Sequence, residues 1–288
     1  GVVSDMLQRG HWLAPHLADR PYPDAPLYYW TAAVTGFAFS WLLPLHDAIR
    51  LASGFWVALT LFLLYRAGRE WHGKEEAPHE FAIASVLAMA GCLGFLVHAH
   101  EAQPMLVALA GHAAAYWALA LLDRKPLRAA LIFGLGFGLG FMGNGLAAML
   151  TLLPVATIAL ALSENRRQAA VSLALGTLIG VAIATPWPIL LAAFAPAYFT
   201  QWLVSELTQF GKPANLLHTT TSYLAMLPWF AWPALPLALW TLRSKRRFLS
   251  QPRYLVPLLA VPAAWLTLSI TFEARSSTAL LMLPPIAL

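Results

Sequence analysis

The chain has 288 residues, 59% of them hydrophobic and only 11% charged, with a mean hydropathy of +0.64. A soluble domain carries about 25% charged residues and has no use for repeated apolar runs near the ~20 residues that a bilayer demands, so a soluble fold is excluded. The lone Cys92, inside one such run, excludes a disulfide framework or a cysteine-based metal site. The formal charge of +5 raises nucleic acid as a partner, a question decided by where the basic residues fall.

In chain order, the first feature is the run Arg20-Pro21-Tyr22-Pro23-Asp24-Ala25-Pro26-Leu27-Tyr28-Tyr29-Trp30. Its three prolines cannot continue a helix and bias their predecessors toward extended backbone, so an ordered coil carrying Asp24 and the tyrosines is expected. Apolar segments follow at about 27–45, 48–68, 81–98, 104–122, 127–142, 145–162, 170–194, 222–242, 254–271 and 277–288. They predict an all-α, polytopic helical membrane protein with about nine transmembrane helices, forming one domain over 1–288.

The loops between these segments alternate in character. Arg66, Arg69 and Lys74 fall in one, Arg124, Lys125 and Arg128 in another, then Arg166 and Arg167, then Arg243, Lys245, Arg246, Arg247 and Arg253, together thirteen of the 18 Lys and Arg. Basic residues in short loops mark the cytoplasmic side. The excess of base is therefore a topology signal, and no nucleic-acid partner is implied. If segment 48–68 ends in the cytoplasm, residues 1–47 form a first external loop with surface helices and 27–45 lies along the outer leaflet. The alternative is a true span with residues 1–26 in the cytoplasm, which that base-poor stretch disfavours. A second long external loop covers 195–221. The chain reads as a piece of a longer protein, without an initiator Met, signal peptide or first anchoring helix, and ending within an apolar run.

The external loops collect the chemistry-bearing groups. The first holds His11, His16, Asp19, Arg20, Tyr22, Asp24, Tyr28 and Tyr29; His46, Asp47 and Arg50 open the next helix. His98, His100, Glu101 and Gln103 follow segment three, Glu206, Gln209, Lys212 and His218 lie in or beside the long loop, and Glu273 and Arg275 come last. Aromatic residues at such positions also form interfacial belts, and Arg50 can snorkel to lipid headgroups. His98 and His100 lack the i, i+4 spacing of a helical metal pair. His112 and Asn144, at membrane depth, are expected to make buried hydrogen bonds. The glycine run 134–140 lacks a following Lys-Ser/Thr and reads as a helix surface for close packing, not a phosphate loop.

The first loop resembles that of the membrane C-type glycosyltransferases of the aminoarabinose-transferase and protein-mannosyltransferase kind. The matching residues are Met6-Leu7, Gly10-His11-Trp12-Leu13 and Pro21 through Trp30, followed more weakly by Arg50-Leu51, Pro186-Trp187 and Leu227-Pro228-Trp229. The resemblance implies transfer of a sugar from a polyprenyl-phosphate donor to a lipid or protein acceptor at the outer face of a bacterial inner membrane. It implies a divalent metal ion held by Asp24 and Glu206. Donor and lipid-phosphate contacts would come from Arg50, Lys212, Tyr22, Tyr28, Tyr29 and Glu101, with Arg20 and Arg275 as lesser candidates. The family's catalytic aspartate falls upstream of Gly1, so the piece is expected to be inactive although the full-length protein is an enzyme. Asp replaces Glu at 24, the lysine that usually follows is missing, and one residue is deleted there. The runner-up is a membrane transporter or lipid-linked sugar flippase, which calls for ionisable groups at mid-helix depth and inverted repeats. A non-catalytic scaffold would not need a polar loop of acids and tyrosines.

Overall fold

The computed structural model describes residues 1–18, 20–209, 216–271 and 275–288. Nearly everything described is helix. The chain opens with α1 (Val2–Arg9), a two-stranded hairpin of β1 (His16–Leu17) and β2 (Arg20–Pro21), and α2 (Leu27–Phe39). There follow α3 (Leu45–Trp71), α4 (Pro78–Gly91), α5 (Leu93–His98), α6 (Met105–Leu121), α7 (Pro126–Leu162) and α8 (Arg166–Ala184). The remainder is α9 (Pro186–Phe194), α10 (Pro196–Gln209), α11 (Leu216–Phe230), α12 (Ala234–Ser244), α13 (Pro252–Thr271), α14 (Ser276–Ala279) and α15 (Leu283–Ala287).

Local chemistry sets many of these boundaries. Pro78, Pro126 and Pro186 stand in the first turns of α4, α7 and α9, where a missing N–H costs nothing. Asn165 caps α8 by accepting the Gln168 N–H at 3.2 Å. Gly10 closes α1 in the left-handed region (φ 75°) and returns its own N–H to the Met6 carbonyl at 3.1 Å.

The expected nine spans are not reproduced. Among the described residues four helices or continuous helical runs are long and apolar enough to cross a membrane, Leu45–Trp71, Pro126–Leu162, Arg166–Phe194 and Pro252–Ile270. A fifth is added if α11 and α12, bent by 89°, count as one span. That count takes Pro126–Leu162 and Arg166–Phe194 as single runs, and breaks shorten other apolar segments. The run 81–98 is split at Cys92, whose backbone is extended (ψ 127°), and α6 has only 17 residues. Helix α2, at 13 residues, is about 20 Å long against the ~30 Å of a hydrocarbon core.

The run assigned to α7 is a reversal rather than a 37-residue rod. Asn144 (φ −150°, ψ 34°) and Gly145 (φ 65°, ψ −156°) are non-helical. A Cβ on Gly140 would lie 3.8 Å from the Ala148 backbone, whereas eight helical residues span about 12 Å. The two arms, 126–143 and 146–162, therefore fold back on each other, and α6 packs against both. On the first arm, a Cβ at Gly136 would meet the Gly111 carbonyl at 2.5 Å, so these backbones are in contact. On the second, buried His112 bonds Thr151 Oγ1 at 2.7 Å and the Ala108 carbonyl at 2.9 Å.

Two clusters of buried side chains carry the opening segment. Met6, Tyr28, Tyr29, Ala32 and Ala33 pack on Trp56 of α3 and on Leu106, Ala110 and Ala113 of α6. Ala25 joins Phe141, Met142, Trp187, Leu191, Tyr198 and Trp202, tying the proline-rich coil to α7, α9 and α10.

A candidate functional site around Asp24 and Glu206

The coil leading into α2 is fixed from outside itself. Trp187 Nε1 donates to the Leu13 carbonyl at 2.9 Å, Trp30 Nε1 to the Trp12 carbonyl at 2.7 Å, and the Tyr198 hydroxyl to the Tyr22 carbonyl at 2.6 Å. Asp24 N–H turns back onto the Tyr22 carbonyl at 2.8 Å. The aspartate side chain then accepts from the Tyr29 hydroxyl at 3.1 Å, and the Tyr22 and Tyr29 rings meet edge to face, centroids 6.1 Å apart.

Glu206 reaches the same neighbourhood from α10. Buried to 5% exposure, it accepts the Leu146 N–H on Oε2 at 2.8 Å, capping the second arm of α7 at its first residues. The carboxylate lies against Gly145, where any Cβ would collide with it. That explains a glycine with φ +65° at the turn.

The electrostatics of the pair are coupled. Burial raises the Asp24 carboxyl above its ordinary range, opposed by the Tyr29 hydroxyl and by the charge of Arg275. Burial pushes Glu206 up to about 7; the Leu146 hydrogen bond opposes that shift and the charge on Asp24 adds to it. The phenols of Tyr22, Tyr29 and Tyr198 are also raised, with Asp24 contributing to each and burial leading for Tyr29 and Tyr198. Two side-chain donors stand unpaired beside the acids, Asn144 Nδ2 at the α7 reversal and Trp202 Nε1 one turn before Glu206. A buried donor without a partner costs ~1–3 kcal/mol.

A second network adjoins the first through Tyr28, whose ring packs edge-on against Tyr29 with centroids 5.9 Å apart. Ser53 Oγ donates to the Glu101 carbonyl at 2.9 Å, which makes the Tyr28 hydroxyl the donor to Ser53 at 2.7 Å. The Glu101 carboxylate takes His98 Nδ1 at 2.5 Å. Arg50, exposed on α3, lies near enough to Tyr28 to favour its ionised form against the larger opposing effect of burial.

Of the residues expected from sequence, Asp24, Tyr22 and Tyr29 group together and Glu206 lies near enough to feel the Asp24 charge, while Tyr28, Glu101 and Arg50 form the neighbouring group. Arg20 is exposed in β2, and Arg275, ranked low, carries the cation felt by Asp24. Lys212, Asp19 and Glu273 lie outside the described residues. Tyr198, Ser53 and the turn at Gly145 were missed, Trp187 was noted only in the Pro186-Trp187 match, and Asn144, expected to make buried hydrogen bonds, leaves its Nδ2 without a partner. Nothing in the local sequence distinguishes Tyr198 or Ser53, whose partners lie 176 and 25 residues away.

No protein-family model matches the chain. Its sequence is similar to curated bacterial proteins. It is 29% identical over 278 residues to the undecaprenyl phosphate-alpha-4-amino-4-deoxy-L-arabinose arabinosyl transferase of Pectobacterium carotovorum. It is 28% identical over 275 residues to transferase 1 of that name from Sodalis glossinidius. Each alignment covers 90% of this chain and 48% of the relative, so the chain spans about half the length of these relatives. The fold is shared with a solved membrane protein. The crystal structure of ArnT from Cupriavidus metallidurans bound to undecaprenyl phosphate superposes with a TM-score of 0.78 at 18% identity, over 99% of this chain and 52% of that one. The resemblance read from the first loop therefore extends along the chain.

Proposed function

We propose that this chain forms the membrane portion of a glycosyltransferase that moves a sugar from an undecaprenyl-phosphate-type donor to a lipid acceptor of the lipid A class, at the outer (periplasmic) face of a bacterial inner membrane. The observation that carries the reading is Asp24, held by Tyr29 and within electrostatic reach of Glu206 and Arg275, in a fold shared with a protein crystallised bound to undecaprenyl phosphate. The relatives above are transferases, which favours transfer over transport or flipping.

Two nearby carboxylates, each destabilised as an anion by burial, suit a divalent cation, because a shared cation offsets that cost. Asp24 and Glu206 would hold it. Such an ion supplies charge stabilisation for the departing lipid phosphate. The chain's own contribution is positioning. Tyr29 orients the Asp24 carboxylate, Leu146 N–H orients Glu206, and Arg275 adds a fixed positive charge. Arg50 and Tyr28 would contact the donor phosphate in this reading, Lys212 keeps the role its resemblance implies, and Glu101 is held by His98.

The test is sugar transfer in membranes bearing the full-length protein. Asp24→Asn and Glu206→Gln should each lower transfer at least 100-fold, with amount and thermal stability of the protein retained. Transfer within threefold of the parent for both variants would remove the proposal.

A further inference from the structure

Outside that pocket, three side chains converge that the transfer chemistry does not use. Asp5 lies on the buried face of α1, 7% exposed. The left-handed turn at Gly10 sends the chain back so that His11 Nδ1 stands 2.6 Å from Asp5 Oδ2. His16, at the start of β1, brings its ring to 4.4 Å from that of His11, centroid to centroid. Each residue offers one ligand atom, and all three atoms lie within 4.8 Å of one another.

We propose that Asp5, His11 and His16 form a binding site for a zinc-class divalent transition metal, separate from the Asp24–Glu206 pair. Two imidazoles and a carboxylate are a donor set that Zn²⁺ takes at about 2.0–2.2 Å, with water in the fourth position. His16 carries the mark of a ligating histidine. Its Nδ1 donates to the Ala14 carbonyl at 2.7 Å, which fixes the tautomer and leaves the Nε2 lone pair for a metal. Asp5 is supported in turn by Arg9 Nε, 3.5 Å from its other oxygen. The site opens outward at His11, whose side chain is 39% exposed, giving an ion an entry path. Ligand atoms on a tetrahedral ion lie about 3.3 Å apart, so binding would draw His16 inward and open the short Asp5–His11 pair slightly. The ion would thereby clamp residues 10–17 onto α1. The clamp bears on the transfer site through Tyr198, whose ring lies 5.8 Å from His16 and whose hydroxyl holds the Tyr22 carbonyl.

The experiment uses the full-length protein, stripped with chelator and titrated with Co²⁺ while visible absorption and thermal stability are read. The parent should show the d–d bands of low-coordinate Co²⁺ with nitrogen ligands. Both His11→Ala and His16→Ala should lose one equivalent of cobalt, or at least tenfold in affinity, and its stabilising thermal shift. The Asp24→Asn/Glu206→Gln double variant should keep the signal. His11→Cys, which restores a ligand, should bind cobalt with added thiolate charge-transfer absorption and so exclude misfolding. Unchanged cobalt stoichiometry and thermal shift in both alanine variants overturn the proposal. So does a cobalt signal that disappears only in the Asp24→Asn/Glu206→Gln variant.

Discussion

Replacing Gly145 by alanine tests how the α7 reversal and the buried glutamate depend on each other. At φ 65°, ψ −156° the backbone is in a region open essentially to glycine alone, and holding an alanine there costs ~1–3 kcal/mol. The new methyl would also stand 2.5 Å from Glu206 Cδ and closer still to both carboxylate oxygens, so the carboxylate must move. Moving it breaks its bond to Leu146 N–H, a charge-assisted hydrogen bond worth ~1.5–3 kcal/mol. The combined loss is about 2.5–6 kcal/mol, or upward of about 5 °C in apparent Tm for a chain of this size. The assay is thermal unfolding of the purified full-length protein in detergent at one scan rate, because such unfolding is commonly irreversible. Gly54→Ala, on α3 with open space around its Cβ position, is the control and should move Tm little or upward. Adding Glu206→Ala to Gly145→Ala should restore part of the loss, since the methyl then meets nothing charged. A Gly145→Ala Tm within 2 °C of the parent, or strict additivity with Glu206→Ala, would refute the reasoning.

Glu206 should also leave a signature in pH. Its carboxyl is raised from 4.5 to about 7 in the fold, so between those values the folded state binds the extra proton. Stability from this group is then greatest below pH 4.5, falls as pH rises, and levels off above about 7, by up to roughly 3 kcal/mol in all. Metal-free Glu206→Gln should lack that slope in Tm against pH, and an unchanged slope would assign it elsewhere. Tyr28→Phe removes the buried donor to Ser53 and should cost about 1 kcal/mol, read as a Tm drop of a few degrees; no drop would mean that Ser53 finds another partner. Gly136→Val drives a side chain into the Gly111 carbonyl and the Ala115 N–H of α6. It should lower Tm by more than the same change at Gly54, and equal effects would show that α6 and α7 are not in tight contact.

Much of the site's composition was legible because resemblance and local chemistry pointed to the same residues. Prolines 21, 23 and 26 forced a coil, and Asp24 and Tyr29 were singled out within it. Arg275 was undervalued and Tyr198 unseen for one reason. Charge and hydrogen bonding at Asp24 come from elements far along the chain, and no periodicity records which of them will arrive. Where the apolar segments break is not registered by composition, as at the extended backbone of Cys92 and the 89° bend after Phe230.

By itself the sequence determined that the chain is helical and made for a membrane, because 59% hydrophobic residues and long uncharged runs leave a backbone no other way to satisfy its polar groups. It also pointed to the first thirty residues as one place for a candidate site. Only the tertiary structure decided that Glu206 closes the α7 turn beside Asp24, and that Asp5, His11 and His16 meet. Each of these contacts depends on a backbone reversal, at Gly145 and at Gly10, whose direction is set by packing rather than by residue type alone.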